Sequence, residues 1–410
     1  MRLAIEPWLR DAVAGSCAIA IGLGLARYDF SAVAHLMVTT GSLATSSIGQ
    51  LSAFNLGGYL LGCIHHMNLS QRTGSVVVLR CALLAVIASL LLEWVTADFV
   101  GQAAGRLLAG WGAGHLMSGV PALAIQAAPA PRQRQATALV MSGAGFGALL
   151  GACAITAWSQ ASSRQAWLIV LIISLVLAGP VIWLLRRRPA SKPPHQVPFT
   201  VGFSDSGSHR GSFTGSHSGD RGRGPDAAPL LAISLACFCA GGAQVPVVLY
   251  APLLMSERLG STASHSSASL AVLGSGCVIG ALLAASCPVR WPTRSLLPVM
   301  ASVGVVGTLL FWQATTEAQV GCGVFLVGAW LWLFTSLTFD RLGQLLDDGQ
   351  RRRLWPLMTL LIALGFGLFS LLTASLARTR LDQLIVAGLI LMVLQLMLMV
   401  LQGVGRRLAR

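Results

Sequence analysis

Charged residues are scarce in this sequence, and acidic residues are the scarcest. Of the 410 residues only 10% are charged, with 14 aspartates and glutamates against 28 lysines and arginines. Soluble proteins usually carry about 25% charged residues, so the composition excludes a surface built for water. Because 55% of the residues are hydrophobic, we expect an integral membrane protein.

Motifs for nucleotides and for catalysis are missing as well. No G-x-x-x-x-G-K-[ST] segment occurs in the chain, which excludes an ATP-driven pump contained in one polypeptide. The eight histidines are scattered, and no H-E-x-x-H pattern is present. We therefore expect no enzyme, no cofactor and no metal site. The net charge of +14 does not indicate a nucleic acid partner, because the basic residues fall in short segments between apolar runs.

Apolar runs recur from one end of the chain to the other. A membrane-spanning helix needs about 20 mostly apolar residues, and this template predicts an all-α integral membrane fold with twelve transmembrane helices. The spans are expected near 12–37, 46–67, 75–95, 99–125, 136–158, 166–185, 229–253, 266–287, 295–314, 319–339, 354–376 and 383–402.

The predicted spans divide into two sets of six. We expect an N-terminal six-helix bundle at 1–185 and a C-terminal six-helix bundle at 229–410. The polar, Gly/Ser-rich segment 186–228 between them is predicted to be a flexible cytoplasmic linker. Paired glycine motifs indicate that the halves are repeats: Gly58-x-x-x-Gly62 matches Gly276-x-x-x-Gly280, and Gly145-Phe146-Gly147 matches Gly365-Phe366-Gly367.

The distribution of arginines predicts the orientation. With both termini in the cytoplasm, the outer side holds only Arg164, Arg258, Arg378 and Arg380. The cytoplasmic side holds the remaining arginines of the loops and tails, which are Arg2, Arg10, Arg72, Arg80, Arg132, Arg134, Arg186, Arg187, Arg188, Arg290, Arg294, Arg341, Arg351, Arg352, Arg353, Arg406, Arg407 and Arg410. This bias follows the positive-inside rule.

Very few ionisable residues fall inside the predicted spans, and each is a candidate for function because burying a charge in lipid is costly. Arg27 and Asp29 lie in the first span and Arg106 in the fourth. In one interpretation Arg27 faces an anionic substrate while Asp29 reaches Arg106 or water, or exchanges a proton. In the other, all three form structural ion pairs between the first and fourth helices. For Arg106 we favour the structural role.

Other polar residues inside the spans complete the candidate site. Asn55 and Tyr59 are four residues apart, so they share one face of the second helix. The remaining candidates for substrate binding or coupling are Tyr28, His115, Gln244 and Tyr250. Interhelical hydrogen bonding is the alternative role for these residues.

Two further patterns receive a structural interpretation. Asp340-Arg341-Leu342-Gly343 follows the tenth span, and we interpret it as a local charge pair at a helix end. Trp330 and Trp332, inside the same span, are compatible with lipid-facing positions.

Three motifs resemble the major facilitator superfamily and, within it, the bacterial YbfB/YjiJ group. They are Gly22-x-Gly24-Leu25-Ala26-Arg27-Tyr28-x-Phe30 in the first span, Asn55-x-x-Gly58-Tyr59-Leu60-x-Gly62 in the second, and Arg106-x-x-x-Gly110-x-Gly112 in the fourth. The loop signature between the second and third helices survives only as Arg72-x-Gly74, with Gln71 in place of the usual aspartate, and Asp29 stands where the group has a small residue.

The resemblance implies a secondary transporter that works by alternating access in the bacterial inner membrane. We expect a small-molecule substrate, such as an organic anion or a metabolite, and coupling to protons. The lipid bilayer is then the surrounding partner, and a monomer is the expected state. Two alternatives remain open: a transport-inactive scaffold or sensor on the same fold, and a membrane-embedded enzyme.

Overall fold

Helices are the regular elements of this chain wherever the structure describes it. A computed structural model describes residues 6–158, 162–187, 227–288, 291–346, 348–374 and 381–404. The predicted linker, 186–228, lies almost entirely outside these ranges, and so do several of the arginines used to predict the orientation.

Twelve long helices follow one another in the described residues. They are α1 Pro7–Thr39, α2 Thr45–Thr73, α3 Ser75–Val95, α4 Phe99–Ile125, α5 Gln133–Ala157, α6 Ser163–Arg187, α7 in two parts Ala227–Ala243 and Val245–Leu259, α8 Ala263–Ser286, α9 Thr293–Gln313, α10 Glu317–Leu345, α11 Asp348–Ala374 and α12 Leu381–Val404. Each one covers a predicted span, so the prediction of twelve helices is confirmed. A short 3₁₀ turn, Ala130–Arg132, precedes α5.

Ten of these helices are long and apolar enough to cross a membrane, within the ranges that the structure describes. The two others are α2 and α4. Both carry polar side chains that are buried inside the protein, among them Asn55, His66, Gln102 and Arg106. Part of their lower hydropathy therefore comes from residues that face neighbouring helices, which is where polar groups in membrane proteins concentrate.

The first helix is not a regular α-helix along its whole length. Residues Ala20–Tyr28 form a π-helix, and the backbone N–H of Asp29 donates to the carbonyl of Gly24, five residues earlier, at 3.2 Å. A Cβ on Gly24 would lie 2.5 Å from the Cα of Gly147 on α5, so glycine is needed for this close approach. Wide turns of this kind occur often at functional sites.

The seventh helix is also interrupted. Its two parts meet at Gln244, and Pro246 stands in the first turn of the second part. Proline has no N–H and cannot continue the hydrogen-bond ladder of the first part. The break places the side chain of Gln244 in the protein interior, where it is 1% exposed.

The two G-x-x-x-G motifs, one beginning at Gly58 and the other at Gly276, build the same kind of helix contact. A Cβ on Gly58 of α2 would lie 2.0 Å from the carbonyl oxygen of Leu107 on α4, and one on Gly276 of α8 would lie 2.3 Å from that of Phe325 on α10. In each case the missing side chain lets two helix backbones touch, as small residues do in membranes.

Two helix pairs form most of the contact between the first six helices and the last six. The helix α2 packs along α11, and α5 packs along α8. At the second contact, a Cβ on Gly274 would lie 2.5 Å from the backbone nitrogen of Leu149. These pairs enclose the space in which the candidate site lies.

Candidate functional site

A cavity of about 50 Å³ lies among α1, α2, α4, α7, α10 and α11. Four of the nine predicted site residues line it, which are Arg27, Tyr28, Tyr59 and Gln244. The remaining lining residues are Leu23, Met117, Leu331, Trp332, Thr335, Thr359, Ile362 and Ala363. The two halves of the chain therefore contribute to one site.

The guanidinium group of Arg27 is surrounded by aromatic rings. Its carbon lies 4.8 Å from the ring centre of Phe366, 5.7 Å from that of Tyr28 and 5.9 Å from that of Tyr59. The residue is 9% exposed, and no carboxylate pairs with it among the described residues. Aromatic faces attract a cation without neutralising it, so the cavity has a positive wall.

The rest of the cavity wall is apolar with a few hydrogen-bonding groups. Gln244 donates from Nε2 to the carbonyl of Ala240 at 3.3 Å, which leaves its Oε1 without a partner in the described structure. The hydroxyls of Thr335 and Thr359 donate back to carbonyls of their own helices. No carboxylate belongs to the lining.

Asp29 does not line the cavity, although it is only two residues from Arg27. Its side chain is 0% exposed, and neither carboxylate oxygen has a hydrogen-bond partner in the described chain. It fills the space beside Gly151 on α5, where any Cβ would collide with Oδ2. Arg27 and Asp29 thus point to different sides of α1, as predicted, but the expected contact between Asp29 and Arg106 is not formed.

Arg106 is instead bound by groups on two other helices. Its Nη1 donates to the carbonyl of Ala26 on α1 and lies 3.9 Å from Oε1 of Glu93 on α3. The guanidinium carbon also lies 4.2 Å from the ring centre of Phe30. Glu93 was not among the predicted residues, although it is the single carboxylate of the third span. A lone carboxylate in the span that precedes the one with Arg106 was the sequence feature that could have identified Glu93 as the partner of Arg106.

Three predicted residues lie between helices and outside the cavity lining. The Nδ2 of Asn55 donates to the carbonyl of Arg106 at 3.0 Å, which joins α2 to α4. The Nδ1 of His115 lies 3.3 Å from the Nδ1 of His66. Tyr250 is fully buried, and its hydroxyl lies 3.0 Å from where a Cβ on Gly49 would be.

The second half contributes side chains that the sequence did not identify. Trp330 and Trp332 are 0% and 4% exposed, so both face the protein interior and not lipid, and Trp332 lines the cavity. The interpretation of Asp340 as part of a local charge pair is wrong. Its carboxylate lies 3.1 Å from the guanidinium of Arg134 on α5, because the ends of α5 and α10 meet across the two halves.

No group of three or more histidine, cysteine, aspartate or glutamate side chains in the described ranges is arranged to hold a metal ion. The nine cysteines are all unpaired. The chemistry of the cavity is therefore that of one guanidinium group, one amide, aromatic rings and hydroxyls.

Comparison with known sequences gives one family. The profile of the family described as the uncharacterised MFS-type transporter YbfB matches residues 19–204, slightly less than half of the chain. This range contains the three motifs of the first, second and fourth helices. No curated protein sequence matches the chain.

Comparison with solved structures identifies the fold over nearly the whole chain. The human organic anion transporter MFSD10 (TETRAN) is similar with a TM-score of 0.67 and 15% identity, covering 96% of this chain and 99% of that chain. A bacterial homologue of the human lysosomal transporter Spinster, inward-facing and unoccupied, is similar with a TM-score of 0.65 and 14% identity, covering 97% of each chain. From these comparisons, residues 19–204 resemble the YbfB family of MFS-type transporters, and the chain as a whole shares the fold of these two membrane transporters.

Proposed function

We propose that the chain is a secondary active transporter that carries a small organic anion across the bacterial inner membrane and couples this movement to protons. The observation that carries the proposal is the position of Arg27. It is a buried cation at the wall of a cavity between the two halves, with aromatic neighbours and no carboxylate partner among the described residues.

The lining of the cavity supports an anion with an apolar body. A guanidinium group binds a carboxylate through two parallel hydrogen bonds, and the Oε1 of Gln244 and the threonine hydroxyls supply further polar contacts. Trp332, Tyr28 and Tyr59 offer aromatic surfaces for the remainder of the molecule. Ligand pockets usually have volumes of about 300–1,000 Å³, so the cavity of about 50 Å³ has to widen when a substrate enters.

Asp29 is our proposed carrier of the coupled proton. A buried carboxylate without a hydrogen-bond partner favours its neutral form, and water reaching it would favour ionisation. Asp29 directly follows the π-helix that carries Arg27, so a movement of α1 that admits substrate to Arg27 also changes the surroundings of Asp29. The two events are thereby linked through one backbone segment.

For the architecture we propose two six-helix bundles, with both termini in the cytoplasm, that alternate in opening to either side. The contacts of α2 with α11 and of α5 with α8 support this arrangement, and the bias of arginines supports the orientation. We propose that the protein works as a monomer in the lipid bilayer. Its ligands are then a small molecule and protons, and it binds no nucleic acid.

The similarity to the human organic anion transporter MFSD10 is consistent with an anionic substrate. The roles we propose for the predicted residues are then distinct. Arg27, Tyr28, Tyr59 and Gln244 contact the substrate, while Asn55 and Arg106 hold helices together and Tyr250 helps to close the outer side.

A binding experiment with matched ligands tests the role of Arg27. Thermal unfolding of the purified protein is followed with benzoate and other small carboxylates, each beside its neutral amide, such as benzamide. A carboxylate at ten times its Kd stabilises the native state by about 1.4 kcal/mol. We expect this for the wild type and for Arg164→Gln, whose arginine also lies over a tryptophan ring but away from the cavity. We expect no stabilisation of Arg27→Gln.

Equal stabilisation by the acid and its amide, or retention of the effect in Arg27→Gln, would exclude the anion site.

The variant Asp29→Asn tests the coupling to protons, by binding in the unfolding assay and by uptake into liposomes. This variant should still bind the carboxylate at pH 7, whereas uptake into liposomes should no longer move protons. Proton movement that persists in Asp29→Asn would show that another group carries the proton.

A further inference from the structure

Two buried histidines meet between α2 and α4, away from the cavity. The Nδ1 atoms of His66 and His115 are 3.3 Å apart, and the two residues are 8% and 0% exposed. Neither residue lines the cavity. The proposed transport of an anion leaves this pair without a role.

The groups that face the pair are neutral. Cys63 of α2 donates to the carbonyl of Gly114, and Leu79 of α3 packs beside His66 at Gly119. Arg80, also on α3, is directed to α6, where it donates to the carbonyl of Leu185. No ion pair to either histidine occurs in the part of the chain that the structure describes.

Aromatic rings complete the surroundings on the side of His115. Its ring lies 4.5 Å from that of Trp111 in an edge-to-face arrangement, and 5.4 Å from the ring of the exposed His65. The Nε2 of His115 has no hydrogen-bond partner among the described residues.

We propose that His66 and His115 form a binding site for a single shared proton. A hydrogen bond between two Nδ1 atoms requires one ring to donate and the other to accept. One added proton turns the donor into an imidazolium whose charge is shared through that bond, which is the stronger type of hydrogen bond. A second proton would set two Nδ1–H groups against each other at 3.3 Å, so the pair takes up one proton and resists the next.

The position of the pair connects it to the cavity. His66 follows Tyr59 by seven residues, about two helical turns, on the face of α2 that packs against α4, and Tyr59 contacts Arg27. A proton held between α2 and α4 therefore adds a positive charge between two helices that line the cavity. The geometry of the pair is independent of the proposed transport, and only its use as a second store for protons rests on that function.

Nitrogen NMR of the full-length protein, labelled with ¹⁵N-histidine and purified in detergent, tests the proposal. We expect a scalar coupling between two histidine Nδ1 nuclei across the shared hydrogen. As the pH is lowered, the two rings should take up one proton together as a coupled pair. In His66→Asn, which keeps a hydrogen-bonding group near the Nδ1 position, the coupling should vanish and His115 should titrate alone.

His65→Asn is the matched control, because it removes the adjacent, exposed histidine and should leave the coupling unchanged. If the two rings titrate independently with one proton each and show no coupling, the shared site does not exist. Stabilisation by Zn²⁺ that needs both histidines would also overturn the proposal, since the site would then hold a metal. Neither result depends on transport of an anion, so failure here is distinguishable from failure of the proposed function.

Discussion

Two buried arginines in the first half of the chain have opposite surroundings. Arg27 has three aromatic rings and the cavity, while Arg106 has the carboxylate of Glu93 and the carbonyl of Ala26. A guanidinium group that bonds to groups on other helices holds those helices together. A guanidinium group without an anionic partner can instead form its hydrogen bonds with a ligand. On our proposal, the same residue type therefore binds a ligand in α1 and holds helices together in α4.

The structural role of Arg106 predicts strong coupling with Glu93. Replacing Arg106 with Gln leaves Glu93 as a buried charge without its partner, which typically costs about 3–5 kcal/mol. In the double variant Arg106→Gln with Glu93→Gln no charge remains, and we expect the loss to be smaller than the sum of the two single losses. Thermal unfolding of the four proteins gives the coupling directly. Additive losses would mean that the 3.9 Å approach contributes nothing.

Sequence reasoning found Arg27, Asp29 and Arg106 but could not pair them. Charge inside an apolar run is visible in the sequence, and the helical period predicts that Arg27 and Asp29 face different sides. The partner of Arg106 depends on which helix lies beside α4, and that is a property of the packed molecule. Gln244 was identified as a buried polar residue, whereas Trp332 and Phe366 look like ordinary lipid-facing or packing residues until the second half is folded.

At the scale of elements, α2 and α4 approach each other so closely that their backbone atoms are in contact. A Cβ on Gly110 would lie 1.8 Å from the carbonyl oxygen of Asn55, and one on Gly62 would lie 2.2 Å from that of Trp111. The helix backbones thus leave no room for side chains along this contact. The predicted glycine motif gave the right helices for close packing, but the π-helix at Ala20–Tyr28 had no signal in the hydropathy pattern.

Neighbouring glycines of α2 offer a sharp test of this contact. In Gly58→Ala the new methyl group meets the carbonyl of Leu107 at 2.0 Å, so α2 and α4 have to separate, and overpacking of this kind typically costs about 1–3 kcal/mol. In Gly57→Ala the methyl group meets nothing within 4 Å. We expect the second variant to gain stability by about 0.5–1 kcal/mol, because alanine is the better helix former. Thermal unfolding of both proteins in detergent measures the difference.

Equal melting temperatures for Gly57→Ala and Gly58→Ala would contradict the contact. Such a result would mean that α2 and α4 are separated by at least a methyl group in the membrane. The contact between α2 and α4 would then tolerate glycine at these positions without requiring it.

At the scale of the whole molecule, contacts between the halves lie at both ends of the cavity. At one end Arg134 binds Asp340 at 3.1 Å and the carbonyl of Cys287 at 2.8 Å. At the other, a Cβ on Gly49 of α2 would lie 2.6 Å from the carbonyl oxygen of Ser370 on α11. The two halves therefore touch on both sides of the cavity. Passage of a solute requires that one set of contacts breaks while the other persists.

The ion pair of Arg134 and Asp340 should control opening at its own end. Both side chains are partly exposed, at 26% and 34%, and such a pair contributes at most about 1 kcal/mol. In Asp340→Asn we therefore expect hydrogen exchange at the adjoining ends of α5 and α10 to speed up by no more than about fivefold. Exchange around Gly49 and Ser370 should stay unchanged.

The matched control is Arg258→Gln, which breaks the ion pair to Asp382 within the second half alone. Because that pair does not cross between halves, its loss should leave exchange in α5 unchanged. Faster exchange at both ends of the cavity in Asp340→Asn would show that the protein loosens as one body. The two sets of contacts would then not open independently, and alternating access through this cavity would have to be given up.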